Sequence, residues 1–280
     1  MTYRVADIEQ LLYRAFPAAD ALPDDRHGLL VGDPLAEVSG IGIALDATIS
    51  LIRQAHDHHC NVLVTHHPVF WHAPDSFLAA ASPGLSSGAA VFLAARLGVA
   101  LIAMHTNVDC SPRTAEMLLT SVGFNYLAPL QPLWELKPQS SSDAESQSAG
   151  NPIVSLGQLG VSAEGKALTL DELASRYRQA FGQVARVWGE KGKLISKVAT
   201  CSGSGGDLLA NVLNSDADCY VTGELRYHEA LALTEAGVAL IELGHDISEL
   251  PYRDYLQSAL LQAGFPAERM MVVGPAASWW

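Results

Sequence analysis

Four of the ten histidines in this 280-residue chain stand where an apolar run ends. His66 and His67 follow Val62-Leu-Val-Thr65, His105 follows Val99-Ala-Leu-Ile-Ala-Met104, and His245 comes just after Val238-Ala-Leu-Ile-Glu-Leu243. Two carboxylates travel with them: Asp109 lies four residues beyond His105, and Glu249 four beyond His245. That spacing puts both side chains on one side of the chain if the loop opens into a helical turn. Neutral imidazole suits Zn, Fe, Mn or Ni, and a carboxylate can bridge two ions while offsetting their charge. Two divalent ions sharing a carboxylate would activate water by lowering its pKa and polarise a substrate atom. They would also supply local positive charge for a phosphorylated substrate on an acidic chain. The expectation is a dinuclear site.

Each residue also has a plainer reading. A His-His pair before Pro68 can be a polar turn, but the apolar strand ahead of it and the partner motifs favour ligands. His105 reads as a supporting or acid/base group rather than a primary ligand. His56, His58 and His59 fall late in a helical segment, where imidazolium interacts favourably with the C-terminal dipole, and read as a solvated face. Cys201-Ser-Gly-Ser-Gly-Gly206 ends a strand and opens a helix, so backbone N–H groups near Ser204 and Gly205 could receive an anion. Its spacing matches neither the P-loop nor the dinucleotide fingerprint. In Thr222-Gly-Glu-Leu-Arg-Tyr-His228, Arg226 is a candidate anion contact and His228 a candidate proton shuttle, with a helix-start cap the equal alternative.

The elements that would position these residues follow a βα rhythm, so the fold class is α/β: two similar halves with mixed, largely parallel sheets and the metal site between them. Strands are expected near 41–45, 62–65, 99–104, 153–159, 197–201, 219–221, 238–243 and 271–273. Helices are expected over 49–59, 89–97, 170–181, 207–214, 227–236 and 252–263. The pentapeptide Gly98-Val-Ala-Leu-Ile102 recurs letter for letter as Gly237-Val-Ala-Leu-Ile241, and upstream of each a strand ends in Val-Thr, at Thr65 and Thr222. With the shared His-x-x-x-carboxylate tails, this favours an internal duplication. The first half is placed at 1–130 and the second at 153–280. A linker at 131–152 contains the Ser-rich stretch Lys137–Pro152, which lacks large apolar groups.

Composition narrows the partners. Thirty acidic against 17 basic residues give a formal charge of -13, and the absence of any Lys/Arg-rich run argues against nucleic acid. No apolar run approaches the ~20 residues needed to span a bilayer, so no membrane partner is expected. The four cysteines contain no Cys-x-x-Cys and are too few for a disulfide framework, which fits a reducing cytoplasm.

Together, Thr65-His-His-Pro-Val-Phe70, His105-Thr-Asn-Val-Asp109, Thr222-Gly-Glu-Leu-Arg-Tyr-His-Glu-Ala230 and Gly244-His-Asp-Ile-Ser-Glu249 resemble the Nif-three-like family, over nearly the whole chain and in order. Its members often carry the name GTP cyclohydrolase I type 2. The resemblance implies His66, His67, Asp109, His245 and Glu249 as metal ligands, with Glu249 bridging. It also implies a ring-shaped homohexamer whose metal sites face an inner cavity, and the compact form without an inserted domain. One departure is Arg26 in Asp25-Arg-His-Gly28, where members commonly have Asn. The implied reaction is hydrolytic opening of the guanine imidazole ring of GTP, with His105 or His228 moving protons and Arg226, Ser204 and Gly205 meeting the substrate.

Two other classes stay open beside a hydrolase of a small-molecule substrate such as a nucleotide. One is a metal-stabilised oligomeric interaction protein with no chemistry. The other is a metal-handling protein that uses the surplus histidines His56, His58 and His59. A closed structural site needs four ligands and no more, and the excess of polar groups here favours the hydrolase.

Overall fold

The structure is a computed structural model that describes residues 2–79, 86–136, 153–183 and 186–274. The Ser-rich stretch 137–152 lies outside the described residues. Two compact units are formed, one from Met1–Val108 with Pro251–Trp280 and one from Asp109–Leu250.

The first unit opens with α1 (Val5–Ala15), whose Val5, Ile8 and Leu12 fall at helical spacing and are buried. There follow β1 (Gly28–Val31), β2 (Ile41–Ala44), α2 (Ile49–Asp57), β3 (Val62–Thr65), α3 (Ser87–Leu97) and β4 (Ala100–Ala103). Thr48 and Ser86 cap α2 and α3 through their side-chain oxygens, and Gly98 ends α3 at φ +67°, a left-handed position that suits glycine. The short helix α4 (Thr106–Asp109) then carries the chain across the boundary between the units.

The second unit contains α5 (Met117–Thr120), β5 (Phe124–Pro132), α6 (Leu133–Leu136), β6 (Ser155–Ser162), β7 (Leu168–Thr169) and α7 (Leu170–Phe181). It continues through β8 (Arg186–Trp188), β9 (Leu194–Ile195), β10 (Lys197–Ser204), α8 (Leu209–Asn214), β11 (Cys219–Glu224), α9 (Tyr227–Glu235), β12 (Ala239–Glu242) and α10 (His245–Glu249). The chain then returns to the first unit as α11 (Tyr252–Gln262) and β13 (Met270–Val272).

The first sheet has the order β1-β4-β3-β2-β13, parallel except for β1. The second has the order β5-β6-β10-β11-β12-β8; parallel pairing is confined to β10-β11 and β11-β12, so this sheet is mixed. Strands β2, β3 and β4 are buried along their whole length, as expected of parallel strands covered on both faces. In the first unit Ile52, Leu63, Leu101 and Val273 share one core cluster, and in the second Leu173, Tyr177, Val198 and Ile241 share another.

The repeat seen in the sequence maps onto matched strands. β3 pairs with β4 in the register Val62–Ala100 and Thr65–Ala103, and β11 pairs with β12 as Cys219–Ala239 and Thr222–Glu242. Each second strand also has an antiparallel edge neighbour, β1 beside β4 and β8 beside β12. The unit boundaries differ from the sequence division at 130 and 153. β5 begins at Phe124 and pairs with β6, so it belongs to the second sheet. β13, read as the last strand of the second half, instead pairs parallel with β2.

Candidate metal centre

Because β3 and β4 are parallel neighbours, their C-terminal ends lie side by side, and the residues that follow converge there. The ring centroids of His66 and His67 are 4.9 Å apart, those of His66 and His105 5.2 Å, and those of His67 and His105 5.9 Å. One ring nitrogen of each lies within 4.8 Å of the other two. His66 is fully buried, while His67 and His105 are partly covered. Three imidazoles brought together in this way form a donor set that could hold a metal ion.

What each ring does with its other nitrogen is informative. His66 Nδ1 lies 3.0 Å from the Met104 carbonyl oxygen, which can only accept. His67 Nδ1 lies 2.9 Å from Asp46 Oδ1, and His105 Nδ1 lies 2.6 Å from Asp25 Oδ1. In the second unit His245 Nδ1 lies 3.0 Å from Glu224 Oε1. In each case Nδ1 is the donor, which leaves the Nε2 lone pair for a ligand; metal-binding imidazoles are oriented in this way by an acceptor behind the ring.

Asp25 is the most deeply held of these carboxylates, with its side chain 1% exposed. Burial alone would raise its pKa, but the hydrogen bond and charge of His105, with the Thr106 hydroxyl and the Arg26 N–H, outweigh burial and hold it down to about 2. Trp71 stands edge-on to His105 with ring centroids 5.6 Å apart, and the Arg26 side chain donates to the Trp71 carbonyl at 3.3 Å.

In the second unit the donors are mainly carboxylates. His245 Nε2 is 3.3 Å from Glu249 Oε2, one helical turn away, and Glu249 is buried. A carboxylate oxygen of Asp109 lies within 4.8 Å of one from Glu249, and Ser202 Oγ donates to Asp109 Oδ1 at 3.3 Å. The two charges are felt nearby: burial first, then Asp109 and Glu249, push the Cys201 thiol far above its usual range. Gly203 is required at the end of β10. Its φ is +61°, and a Cβ there would come 2.1 Å from Glu249 Oε1. Its N–H donates to Ser248 Oγ at 2.9 Å, which ties α10 to β10.

The remaining sequence candidates fall elsewhere in the second unit. Ser204 and Arg226 line a depression of about 370 Å3 together with Asp207, Glu224 and Glu229. The Gly205 N–H is donated to the Glu224 carbonyl at 3.3 Å, and the Arg226 N–H to Glu229 Oε2 at 2.8 Å. The depression therefore sets Arg226 and Ser204 among three carboxylates, with the N–H groups of Gly205 and Arg226 already taken within the protein. His228 is exposed on α9, with its ring 5.2 Å from that of Tyr227. His56, His58 and His59 are exposed at the end of α2 and beyond it, as the sequence suggested.

Asp25 and Asp46 are not among the residues the sequence singles out. They lie 80 and 21 positions from the histidines they orient, and no local spacing links them. Asp25 stands inside the early segment quoted for the family resemblance, which is the available signal.

Residues 3–273 match the family described as Duf34/NIF3 (NGG1p interacting factor 3). A Clostridium acetobutylicum protein named GTP cyclohydrolase 1 type 2 homolog is 26% identical over 253 residues, covering 90% of this chain and 87% of that protein. A Streptomyces coelicolor protein of the same name is 28% identical over 254 residues, covering 89% and 82%. Among solved structures, Staphylococcus aureus protein SA1388 superposes with a TM-score of 0.79 at 23% identity over 99% of both chains. A Bacillus cereus protein related to NIF3 gives 0.76 at 19% identity, covering 93% of this chain and 94% of that one. At these identities the superpositions speak for the fold.

Proposed function

Since the chain belongs to the Duf34/NIF3 family, we propose that it is a dinuclear metal-dependent hydrolase in which His66, His67, Asp109, His245 and Glu249 hold two divalent ions, with Glu249 bridging. The observation that carries this reading is the common use of Nδ1. The three proposed histidine ligands each give Nδ1 to an acceptor, Met104, Asp46 or Glu224, and so keep Nε2 for a metal. Imidazole and carboxylate together suit Zn, Fe, Mn or Ni, and the choice among them follows availability. Bound ions would supply a water of lowered pKa and neutralise charge on a substrate oxygen.

The chain's own residues have distinct parts in this reading. His105, backed by Asp25, takes and returns a proton at Nε2, and His228 is a second proton carrier at the α9 rim. Arg226, Ser204 and Gly205 meet the substrate beside the depression in the second unit. The relatives' name points to a nucleotide, with GTP opened hydrolytically at its guanine imidazole ring as the first substrate to try. The assembly is a ring-shaped homohexamer in the cytoplasm. Buried cysteines at Cys60, Cys110, Cys201 and Cys219 accord with a reducing compartment, and no described helix is long and apolar enough to cross a membrane.

Incubating metal-loaded and chelator-stripped protein with GTP tests the reading, with ring-opened product followed by chromatography and particle mass by light scattering. Product that depends on metal and disappears in Glu249→Ala supports it. Metal retention without turnover of GTP or other purine nucleotides would move the assignment to a non-catalytic metal protein.

A further inference from the structure

Asp25 is a buried carboxylate beside three clustered histidines, yet its oxygens are directed away from a ligand's task. Oδ1 takes His105 Nδ1 at 2.6 Å and the Arg26 N–H at 2.7 Å; Oδ2 takes the Thr106 N–H at 3.0 Å and the Thr106 hydroxyl. The direction of that hydroxyl is fixed as well. Thr106 Oγ1 accepts the Leu22 N–H at 2.9 Å, so its own proton is turned to Asp25. Four donors therefore converge on one carboxylate, and three of them come from backbone or from a side chain that is itself anchored. A group held like this does not rotate to serve a metal. The Arg26 contact uses the main chain, so the Asn-to-Arg departure noted in the sequence leaves the anchor intact.

We infer that Asp25 is a positioning residue that locks His105 as the Nδ1–H tautomer and so keeps the Nε2 lone pair free to accept a proton from water during turnover. The proton-accepting part rests on the hydrolase reading; the tautomer lock does not. The substitution Asp25→Asn separates a lock from mere packing. Thr106 presents two fixed donors to Oδ2 against the single Arg26 N–H at Oδ1, so the amide introduced by Asp25→Asn would place its carbonyl oxygen at Oδ2, give up the Arg26 contact and set its NH2 group opposite His105 Nδ1. Nδ1 would then have to accept, the ring proton would move to Nε2, and the lone pair would be lost from the side that needs it. The same exchange of tautomer disables a hydrolase whose histidine is oriented by a buried aspartate.

The test is the 15N chemical shifts of His105 by solid-state NMR on the full chain saturated with diamagnetic zinc. The wild type and Thr106→Val should both show Nδ1–H, since Oδ1 still faces the ring in each. Asp25→Asn should show Nε2–H. Its kcat on a turned-over substrate should fall by about a hundredfold or more with KM within about threefold. An Nε2–H signal in the wild type, or an Asp25→Asn spectrum unchanged from it, overturns the inference, and the wild-type spectrum decides even if Asp25→Asn does not fold. Nδ1–H in a wild type that binds no metal and turns nothing over would sink the hydrolase reading while upholding the lock.

Discussion

In both units a strand containing Val-Thr runs parallel to an Ala-Leu-Ile strand in the same register, yet after Thr65, where β3 ends, the first unit continues His66-His67, while in the second β11 runs on from Thr222 through Gly223-Glu224. The backbone beyond is also matched: the Met104 N–H bonds to the Thr65 carbonyl at 2.8 Å, and the Leu243 N–H to the Thr222 carbonyl at 2.9 Å. There the second unit adds one residue. Gly244, at φ +104°, bonds to the Gly223 carbonyl and shifts the following His-x-x-x-carboxylate turn by one position. The position that holds a buried imidazole in the first unit holds a glycine that nothing larger could replace in the second. A Cβ on Gly223 would lie 2.4 Å from the Gly203 carbonyl oxygen and 2.8 Å from Ser248 Oγ. The same scaffold thus presents imidazoles backed by two carboxylates and a backbone carbonyl in one unit, and carboxylates with one backed imidazole in the other. Both His-x-x-x-carboxylate turns also fall where the chain passes between units, at Val108–Asp109 and Leu250–Pro251.

The largest effect should come from forcing the two units to match. Gly223→Ala pushes a methyl group into backbone, and a loss of about 3 kcal/mol or more is expected by urea denaturation; a neutral result would mean that the second unit has room for a side chain there. Next come the carboxylates behind the histidines. Asp46→Asn in the first unit and Glu224→Gln in the second should each weaken metal binding by about 10- to 100-fold in calorimetric titration. If only one of them matters, the two donor sets are not equivalent in use.

A smaller effect is the acid limb of stability. The Asp25 pKa is lowered from 3.8 to about 2 in the folded chain. Its contribution is therefore complete above the unfolded value and is lost as the pH falls from about 4 to about 2. Asp25→Asn should flatten unfolding stability over that window. The smallest change is expected from Arg226→Ala. The cap of α9 is made by the Arg226 backbone N–H and survives the substitution, so stability should move by less than about 0.5 kcal/mol while KM for an anionic substrate rises.

Much of the scaffold is legible because apolar strands and capped helices are local signals. Val62–Thr65 and Leu170–Phe181 begin and end where the sequence puts them, the latter with Thr169 and Glu172 capping each other. The elements that are not legible have local reasons. β1 is four residues long, opening on Gly28 and stopping before Gly32, and β5 contains Pro129 and Pro132, which do not read as strand. α1 buries only Val5, Ile8 and Leu12 and starts after Arg4, without the Ser, Thr, Asp or Asn that marks a helix start. The return of β13 to β2 is a pairing across more than two hundred residues, and no periodicity encodes it. The site divides in the same way. His66, His67, His105, His245, Asp109 and Glu249 announce themselves by standing after strands, whereas Asp25 and Asp46 are defined only by the rings they hold.

The proposal that His66, His67, Asp109, His245 and Glu249 hold two ions is tested most directly by elemental analysis of metal per chain, on wild type, His66→Ala and Glu249→Ala. About two ions per wild-type chain, with a loss in both variants, is the result the account predicts. A replete wild type without metal, or a variant that keeps the full complement, would contradict it.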